Sequence, residues 1–267
     1  MEQLIITEKT GHVLTVTLNN PEKRNPISDL AMVDALCETF TAADADDDIR
    51  VAILTGAGKA FSSGGDIGKM VPGAGLRAEI PANTRNNYRN GIQRLPLLFH
   101  SIDLPVVAAI NGPAIGAGCD LACMCDVRIA SETAIFAESF VKIGLIPGDG
   151  GAWLLPRIVG FSQACELALT GETIDAQTAL QIGLVSRIVP LPDLLASARE
   201  TADKIAANSR FATRMTKRLL REGQTATLPS LLELSAALQS LVHATKDHDD
   251  AVAAFVDRAS RPRLAGG

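Results

Sequence analysis

The chain has 267 residues, of which 47% are hydrophobic and 21% are charged. A chain of this length buries about three quarters of the surface that it exposes when unfolded, so it needs neither a disulfide nor a metal ion to hold its core. The net charge is −5, and the aromatic residues are eight Phe, one Trp and one Tyr. An acidic chain with so few aromatic rings lacks the basic face and the stacking surface of nucleic-acid-binding proteins, so we expect no nucleic-acid partner.

The five cysteines and four histidines do not form the pattern of a disulfide framework or a metal site. An odd cysteine count in a long chain argues against a disulfide-rich secreted protein. Cys119, Cys123 and Cys125 cluster, but no histidine or fourth cysteine lies near them in sequence, so we expect buried packing rather than zinc binding. The N-terminus lacks a signal-peptide pattern, and no segment reaches about 18 apolar residues. The sequence therefore predicts no membrane partner and a reducing, cytoplasmic location.

The N-terminal part of the chain alternates predicted strands and helices. Residues 13–19 alternate apolar side chains with Thr, which predicts a half-buried strand that ends at Asn-Asn-Pro. Ser28 is the expected N-cap of a helix whose apolar face spans 30–40, and the acidic residues 44–48 fit a solvated helix end. Residues 51–55 predict a strand that is buried on both faces of its sheet.

The middle of the chain carries three glycine-rich segments, at 61–70, 111–118 and 144–151. The first is followed by a polar, loop-like stretch over 71–91, which we expect to be mobile. Apolar runs and their periodicity predict the other elements of this part. They are a helix at 92–99, a strand at 105–110, a helix over 119–125, short strands at 127–130 and 134–136, and a helix that contains Trp153.

From about residue 192 onward, amphipathic helical patterns replace the strand–turn–helix units. The predicted helices of this part lie at 192–207, 210–222, 229–244 and 248–259. The change in pattern predicts two regions, a core over 1–191 and a helical region for oligomerisation over 192–267.

The first two glycine-rich segments each follow a buried strand and precede a helix, so each offers backbone N–H groups. Two such N–H groups directed at one point form an oxyanion hole, which stabilises negative charge developing on a carbonyl oxygen. Glycine suits such a loop because a substrate must approach the backbone closely. The other interpretation is that both segments are ordinary tight turns. Neither has the sequence of a P-loop, a dinucleotide-binding loop or a serine-hydrolase elbow.

Five segments, in order along the chain, resemble the enoyl-CoA hydratase/isomerase (crotonase) family. They are NPEKRNPIS at 20–28, RVAILTGAGKAFSSGGDIGKM at 50–70, DLPVVAAINGPAIGAGCDLACMCD at 103–126, GLIPGDGGAWLLPRIVG at 144–160 and LTGETIDAQTALQIGLVSRIVP at 169–190. Because the resemblance spans nearly the whole chain, it favours the oxyanion-hole interpretation. It implies an α/β fold, a crotonase-like spiral of ββα units with a C-terminal helical region, and assembly as a homotrimer or hexamer.

The resemblance also implies an acyl-CoA thioester as substrate, with no separate cofactor because coenzyme A is part of that substrate. By position, Gly65 and Ala117 would supply the two backbone N–H groups that polarise the thioester carbonyl and hold an enolate. The positions implied to contact coenzyme A are Arg24, Ser63, Asp66, Ile67 and Lys217.

Two positions depart from the hydratases of this family, which use two glutamates as an acid–base pair. Asp120 stands at the first position and Phe140 at the second, and a phenyl ring cannot move a proton. Glu138 and Asp149 are the nearby candidates for the missing carboxylate. Each of these three acids also has a purely structural interpretation, since Asp120 and Asp149 could cap helices and Glu138 could form a salt bridge.

The sequence therefore predicts a crotonase-type enoyl-CoA hydratase that acts on a 2-enoyl-CoA thioester through an enolate. The alternatives are an enoyl-CoA or dienoyl-CoA isomerase that moves a double bond, a noncatalytic acyl-CoA-binding member of the family, and another reaction on the same scaffold. The sequence leaves open the acyl group and the carboxylate that replaces the second glutamate.

Overall fold

The computed structural model describes residues 3–73 and 75–260, which form a mixed α/β fold. Its strands are β1 (Ile5–Thr10), β2 (Val13–Leu18), β3 (Val51–Gly56), β4 (Val106–Ile110), β5 (Ala114–Ile115), β6 (Val127–Ser131), β7 (Ile135–Ala137), β8 (Thr173–Asp175) and β9 (Arg187–Val189). Its α-helices are α1 (Leu30–Ala45), α2 (Pro81–Asn90), α3 (Arg94–Ser101), α4 (Ala117–Met124), α5 (Gly151–Val159), α6 (Phe161–Thr170), α7 (Ala176–Gln181), α8 (Leu194–Ala206), α9 (Arg210–Glu222), α10 (Leu228–His243) and α11 (Lys246–Ser260).

Six strands form the main sheet, in the order β1-β2-β3-β4-β6-β9. β1 and β2 are antiparallel, and all other neighbours in this sheet are parallel. Every residue of β3 and β4 is buried, as central strands of a parallel sheet covered on both faces require. The strands predicted at 51–55 and 105–110 are thereby confirmed.

A second, smaller sheet carries the segments that lead to the candidate site. Its strands run in the order β5-β7-β8, and β5 is parallel to β7, with Ile115 opposite Ala137. Because the two strands are parallel, their carboxyl ends lie at the same edge of the sheet. The residues that follow, Gly116 and Glu138, are therefore brought to that one edge.

Helix α1 packs its apolar face into the core through Met32, Val33, Leu36 and Phe40, which are all buried. Phe40 contacts Phe99 of α3, with ring centroids 4.6 Å apart. The helix ends at Ala45, so the acidic residues 44–48 lie at a helix end as predicted.

The prediction that Ser28 caps α1 is wrong. Asp29 occupies the N-cap position, with an extended backbone conformation. Ser28 Oγ instead accepts a hydrogen bond from the backbone N–H of Asp66, at 3.0 Å. The Ser28 hydroxyl thus bonds a distant part of the chain and not, as the local pattern predicts, the first turn of the helix. This hydrogen bond ties the start of α1 to the glycine-rich segment at 61–70.

The prediction of a structureless loop over 71–91 is also wrong, since this stretch contains α2. Its sequence, PANTRNNYRN, has no apolar period, and none of its described residues is fully buried. Pro81 is the first residue of the helix, where its fixed φ favours helix formation. The missing apolar stripe explains why periodicity does not reveal this helix.

The described residues up to Ile205 form one compact unit, and those from Ala206 onward form a second. The first unit extends one helix beyond the boundary at residue 191, and in α8 the side chains of Leu194, Ala198 and Ala202 are buried at helical spacing. The second unit contains α9, α10 and α11, which confirm the helices predicted at 210–222, 229–244 and 248–259.

Candidate active site

Two glycine-rich segments lie against each other at the candidate site. Ser62 N–H donates to Pro113 O at 3.1 Å, and Ile115 N–H donates to Ser62 O at 3.0 Å. Gly64 makes this approach sterically feasible, because a Cβ there would lie 2.9 Å from Ala117 N and would overlap Ile115 O. The loops after β3 and β4 are therefore joined as one backbone surface.

Asn25, which the sequence pattern does not single out, ties a third loop to this surface. Its side chain is buried, and its Nδ2 donates to Ala57 O and Ala60 O, both at 2.9 Å. Its own carbonyl accepts from Ser62 Oγ at 2.7 Å. The one signal in the sequence is an Asn before Pro in the segment at 20–28, which marks a turn but not its burial.

The predicted oxyanion donors Gly65 and Ala117 lie on the two joined loops. Ala117 is the first residue of α4, where a backbone N–H has no partner within the helix. In the described part of the chain, neither the Gly65 N–H nor the Ala117 N–H donates to a protein acceptor. Both N–H groups therefore remain available to a bound group, which is what the predicted oxyanion hole needs.

Three buried carboxylic acids surround the edge where β5 and β7 end. Asp120 lies in the first turn of α4 and is 0% exposed, Glu138 follows β7 and is 1% exposed, and Asp149 lies just before α5 and is 4% exposed. Both oxygens of Asp120, both of Glu138 and Oδ1 of Asp149 accept no hydrogen bond from a backbone or side-chain N–H of the described residues. The carboxyl groups of Asp120 and Glu138 lie close enough to share a proton.

The structural interpretations of these acids therefore fail. Gly116 and Gly150 occupy the N-cap positions of α4 and α5, so neither Asp120 nor Asp149 caps its helix. Glu138 forms no ion pair within the described residues, since both of its oxygens are unsatisfied. An unpaired buried carboxylate costs free energy, and such groups are concentrated at functional sites.

Burial raises the pKa of each acid. For Asp120, burial and then the neighbouring charge of Glu138 hold the pKa well above its usual range. Burial raises the pKa of Glu138 to about 7 and that of Asp149 to about 6. Acids whose pKa values lie near neutrality can both donate and accept protons at physiological pH, so the cluster is suited to general acid–base chemistry.

Phe140, the ring at the position of the family's second glutamate, lies beside the candidate oxyanion loop. A Cβ at Gly116 would lie 3.6 Å from Phe140 Cζ, so the ring covers the backbone next to Ala117. The hydrogen bond with the Cys123 side chain, and then burial, raise the pKa of the Cys119 thiol well above its usual range, so this thiol stays neutral. The surroundings of the acids are thus apolar, which explains their raised pKa values.

The positions implied to contact coenzyme A lie in both units. The side chain of Arg24 is exposed, and its backbone has a left-handed conformation with a φ of 60°. The backbone carbonyl of Arg24 accepts a hydrogen bond from Ser63 N–H at 2.8 Å. Asp66 caps the short helical turn Ile67–Met70, in which Ile67 is 66% exposed. Four of the five positions are therefore close together along the joined loops. Lys217 lies on α9 in the second unit and is 7% exposed.

The cysteine cluster and the acids do not form a metal site. Within residues 3–73 and 75–260, no three or more His, Cys, Asp or Glu side chains are arranged to hold a metal ion. Cys119, Cys123 and Cys125 are buried free thiols of α4 and its end, as the sequence predicts. The same residues contain no helix that is long and apolar enough to span a bilayer.

Comparison with known proteins identifies the class to which this fold and site belong. The profile described as "Enoyl-CoA hydratase/isomerase" matches residues 8–262. A protein of Dictyostelium discoideum named "Probable enoyl-CoA hydratase, mitochondrial" is 36% identical over 252 residues, which cover 94% of this chain and 87% of that protein. The 1,2-epoxyphenylacetyl-CoA isomerase of Escherichia coli K12 is 34% identical over 267 residues and the full length of both chains.

The fold agrees with this class. The crystal structure of enoyl-CoA hydratase from Bacillus anthracis has a TM-score of 0.89 to this chain at 34% identity, covering 96% of this chain and 97% of that one. The chain therefore belongs to the enoyl-CoA hydratase/isomerase family, and it is an enzyme of that family with the predicted crotonase-like fold. The family predicted from the five sequence segments is confirmed.

Proposed function

We propose that this enzyme adds water across the double bond of a 2-enoyl-CoA thioester. The observation that carries the proposal is the cluster of Asp120, Glu138 and Asp149, buried and without an ion pair among the described residues, beside a backbone surface with two N–H groups that donate to no described acceptor. Hydration needs a base for the water, an acid for the α-carbon and donors for the developing enolate oxygen. The three acids and the two N–H groups are the proposed sources of these three functions.

The burial and the raised pKa values of the acids support the following roles. Asp149, with a pKa of about 6, is mostly ionised at neutral pH, so it accepts a proton from the water that attacks the β-carbon. Burial, and then the charge of Glu138, raise the pKa of Asp120 well above its usual range, and burial raises that of Glu138 to about 7, so the pair holds a proton that passes to the α-carbon. The thioester oxygen carries the negative charge between these steps, held by the N–H groups of Gly65 and Ala117. One proton enters and one leaves the acids, so the product is the 3-hydroxyacyl-CoA.

The test is turnover of crotonyl-CoA, with formation of 3-hydroxybutyryl-CoA followed by chromatography. Asp120→Asn should lower kcat by at least about 100-fold, as loss of a general acid–base group typically does. Binding of the saturated butyryl-CoA should remain, which separates a loss of chemistry from a loss of the site. Absence of turnover in the wild-type enzyme would refute hydration of this substrate, and an unchanged Asp120→Asn variant would refute the site.

Isomerisation is the second candidate, and Phe140 favours it. An apolar ring beside Gly116 excludes water from part of the site, and a proton shuttle between the α- and γ-carbons needs no water. One relative over the full chain length is named an isomerase. Incubation with a 3-enoyl-CoA distinguishes the two reactions, because an isomerase forms the 2-enoyl-CoA faster than it forms any hydroxyacyl-CoA. The noncatalytic alternative requires that neither substrate is converted while acyl-CoA still binds.

Coenzyme A contacts, assembly and location complete the proposal. Arg24, Ser63, Asp66, Ile67 and Lys217 are the proposed contacts to the coenzyme A moiety, which is part of the substrate. A homotrimer or hexamer is supported by large apolar side chains on α10 and α11 that are exposed within the chain, such as Leu228 and Phe255. Light scattering after gel filtration tests the assembly. The five free thiols fit a reducing cytoplasmic location, which cell fractionation tests.

A further inference from the structure

A cavity of about 550 Å³ that is open to solvent lies between α2 and the segment 145–148. It is lined on one side by Leu145 and Ile146 and on the other by residues of α2, including Arg85 and Arg89. Its volume is in the range of cavities that hold small organic ligands. The family assignment and the acid–base mechanism leave the occupant of this cavity undetermined.

The cavity lies next to the proposed base. Gly148, which lines it, directly precedes Asp149, and Gln93 Nε2 donates to Gly148 O at 2.9 Å. The ring of Tyr88 also lines it, and a Cβ at Gly148 would lie 3.4 Å from that ring. Burial, and then the charge of Asp149, raise the pKa of the Tyr88 hydroxyl, in keeping with the position of Gly148 between the ring and the acid. The cavity is therefore placed to receive the acyl end of the substrate.

Two guanidinium groups line this cavity without a protein counter-charge. Arg85 and Arg89 are four residues apart on α2, a spacing that places two positive charges side by side on one helix face. Neither forms an ion pair with a carboxylate of residues 3–73 or 75–260. Both side chains are exposed, so water screens their mutual repulsion, and both guanidiniums remain available to an anionic group that enters the cavity.

The geometry points to an acyl chain that ends in a carboxylate as the occupant. Leu145, Ile146 and Tyr88 contact the methylene groups, and the guanidiniums of Arg85 and Arg89 bind the carboxylate farthest from the thioester. This inference rests on the proposed function, because it places the thioester at Gly65 and Ala117 and the β-carbon near Asp149. It makes the enzyme selective for ω-carboxyacyl-CoA thioesters over neutral ones of equal length.

The phosphates of coenzyme A are the other source of negative charge. The positions implied to bind coenzyme A lie on the loops at 24 and 63–67 and on α9, not on α2. The cavity instead meets the segment that carries Asp149. The carboxylate is therefore the favoured partner of the two arginines, and the test includes coenzyme A itself.

The experiment is calorimetric binding of two unreactive thioesters of equal chain length, adipyl-CoA and hexanoyl-CoA, with free coenzyme A as a third ligand. The variants are Arg85→Gln, Arg89→Gln and the double change. Arg77→Gln is the matched control, because Arg77 is exposed near α2 and does not line the cavity. Melting temperatures establish that each variant folds.

The wild-type enzyme should bind adipyl-CoA at least about fivefold more tightly than hexanoyl-CoA. The double variant should bind adipyl-CoA and hexanoyl-CoA with about equal affinity, an affinity ratio of about one, whereas Arg77→Gln should keep the wild-type ratio. A wild-type ratio of one, or a ratio that survives the double change, would overturn the inference. Equal weakening of both thioesters and of coenzyme A would assign the arginines to the phosphates and would also overturn it.

Turnover separates this inference from the proposed function. The assay compares trans-2-hexenoyl-CoA with its ω-carboxylate counterpart. If the arginine-dependent binding preference is present but neither 2-enoyl-CoA is hydrated, the inference stands and the proposed hydratase function fails. If both are hydrated with equal kcat/KM and bind equally, hydration stands and the inference fails.

Discussion

Gly151 leaves the space that the carboxyl group of Asp120 occupies. A Cβ at position 151 would lie 2.8 Å from Asp120 Cγ and would overlap Oδ1, well inside the van der Waals limit. Gly151 is the first residue of α5, so the start of this helix abuts the buried acid. The absence of a side chain at 151 therefore sets where the Asp120 carboxyl can lie.

Gly151→Ala should displace the Asp120 carboxyl and lower kcat for crotonyl-CoA by at least about tenfold. Helix propensity alone predicts stabilisation, since alanine is favoured over glycine by about 1 kcal/mol within a helix. The steric overlap predicts a lower melting temperature instead. The exposed neighbour Ala152, changed to Gly, is the control and should keep its kcat. A Gly151→Ala enzyme with wild-type kcat would show that the placement of Asp120 does not matter.

Ala117→Pro should remove one proposed oxyanion donor with little damage to α4. Proline is tolerated at the first position of a helix, where the N–H has no partner within the helix. Because loss of one such donor reduces kcat by about 100- to 1,000-fold, we expect a loss of that size with crotonyl-CoA. Ala117→Gly keeps the N–H and should remain within about threefold of wild type. Equal activity of the two variants, both folded by thermal melting, would exclude Ala117 as a donor.

The pH profile of kcat/KM should be bell-shaped. Ionisation of Asp149, whose pKa is raised to about 6, produces the rise, and loss of the proton from Glu138, whose pKa is raised to about 7, produces the fall. Glu138→Gln should lower kcat/KM by at least about tenfold and remove the fall on the alkaline side. A descending limb near pH 7 that persists in Glu138→Gln would assign that titration to another group.

Stability should fall as pH rises from about 4.5 to about 7. Glu138 keeps its proton in the folded state up to a pKa of about 7, but in the unfolded state it loses it near 4.5. The folded state therefore binds more protons between these values, and the penalty is complete above pH 7. Glu138→Gln should raise the melting temperature by about 2–6 °C at pH 8 and leave it nearly unchanged at pH 4.5. A uniform shift at both pH values would contradict this linkage.

Asn25→Ala should destabilise the protein by about 2–4 kcal/mol. The change removes the side chain that bonds Ala57 O and Ala60 O, and it places alanine at a φ of 55°, which only glycine and asparagine adopt readily. Denaturant unfolding measures the loss. Asn86→Ala, on the exposed side of α2, is the control and should change stability by less than about 0.5 kcal/mol. A loss at Asn25 no larger than at Asn86 would show that the loop bonds do not contribute.

Elements with a strong local pattern could be predicted, and elements set by their neighbours could not. β3 and β4 are apolar throughout and were predictable, whereas five of the six residues of β1 are exposed and carry no apolar alternation. The strand β1 exists because β2 pairs with it along its whole length. Likewise, α2 has no apolar stripe. Ser28 does not cap α1, because its hydroxyl accepts a hydrogen bond from the backbone N–H of Asp66. The hydrophobic periodicity of a segment reflects how much of that segment the folded chain buries. It therefore gives no signal for an element that stays mostly exposed.

The sequence by itself determined the family, the α/β architecture, the glycine-rich loops and the identity of the candidate acids, because these depend on residue types in a fixed order. Only the tertiary structure decided how deeply those acids are buried and which groups surround them. Asp120, Glu138 and Asp149 belong to three different segments, and folding buries all three without an ion pair among the described residues. Their raised pKa values follow from that burial, since desolvation depends on the atoms around a group and not on its position in the chain.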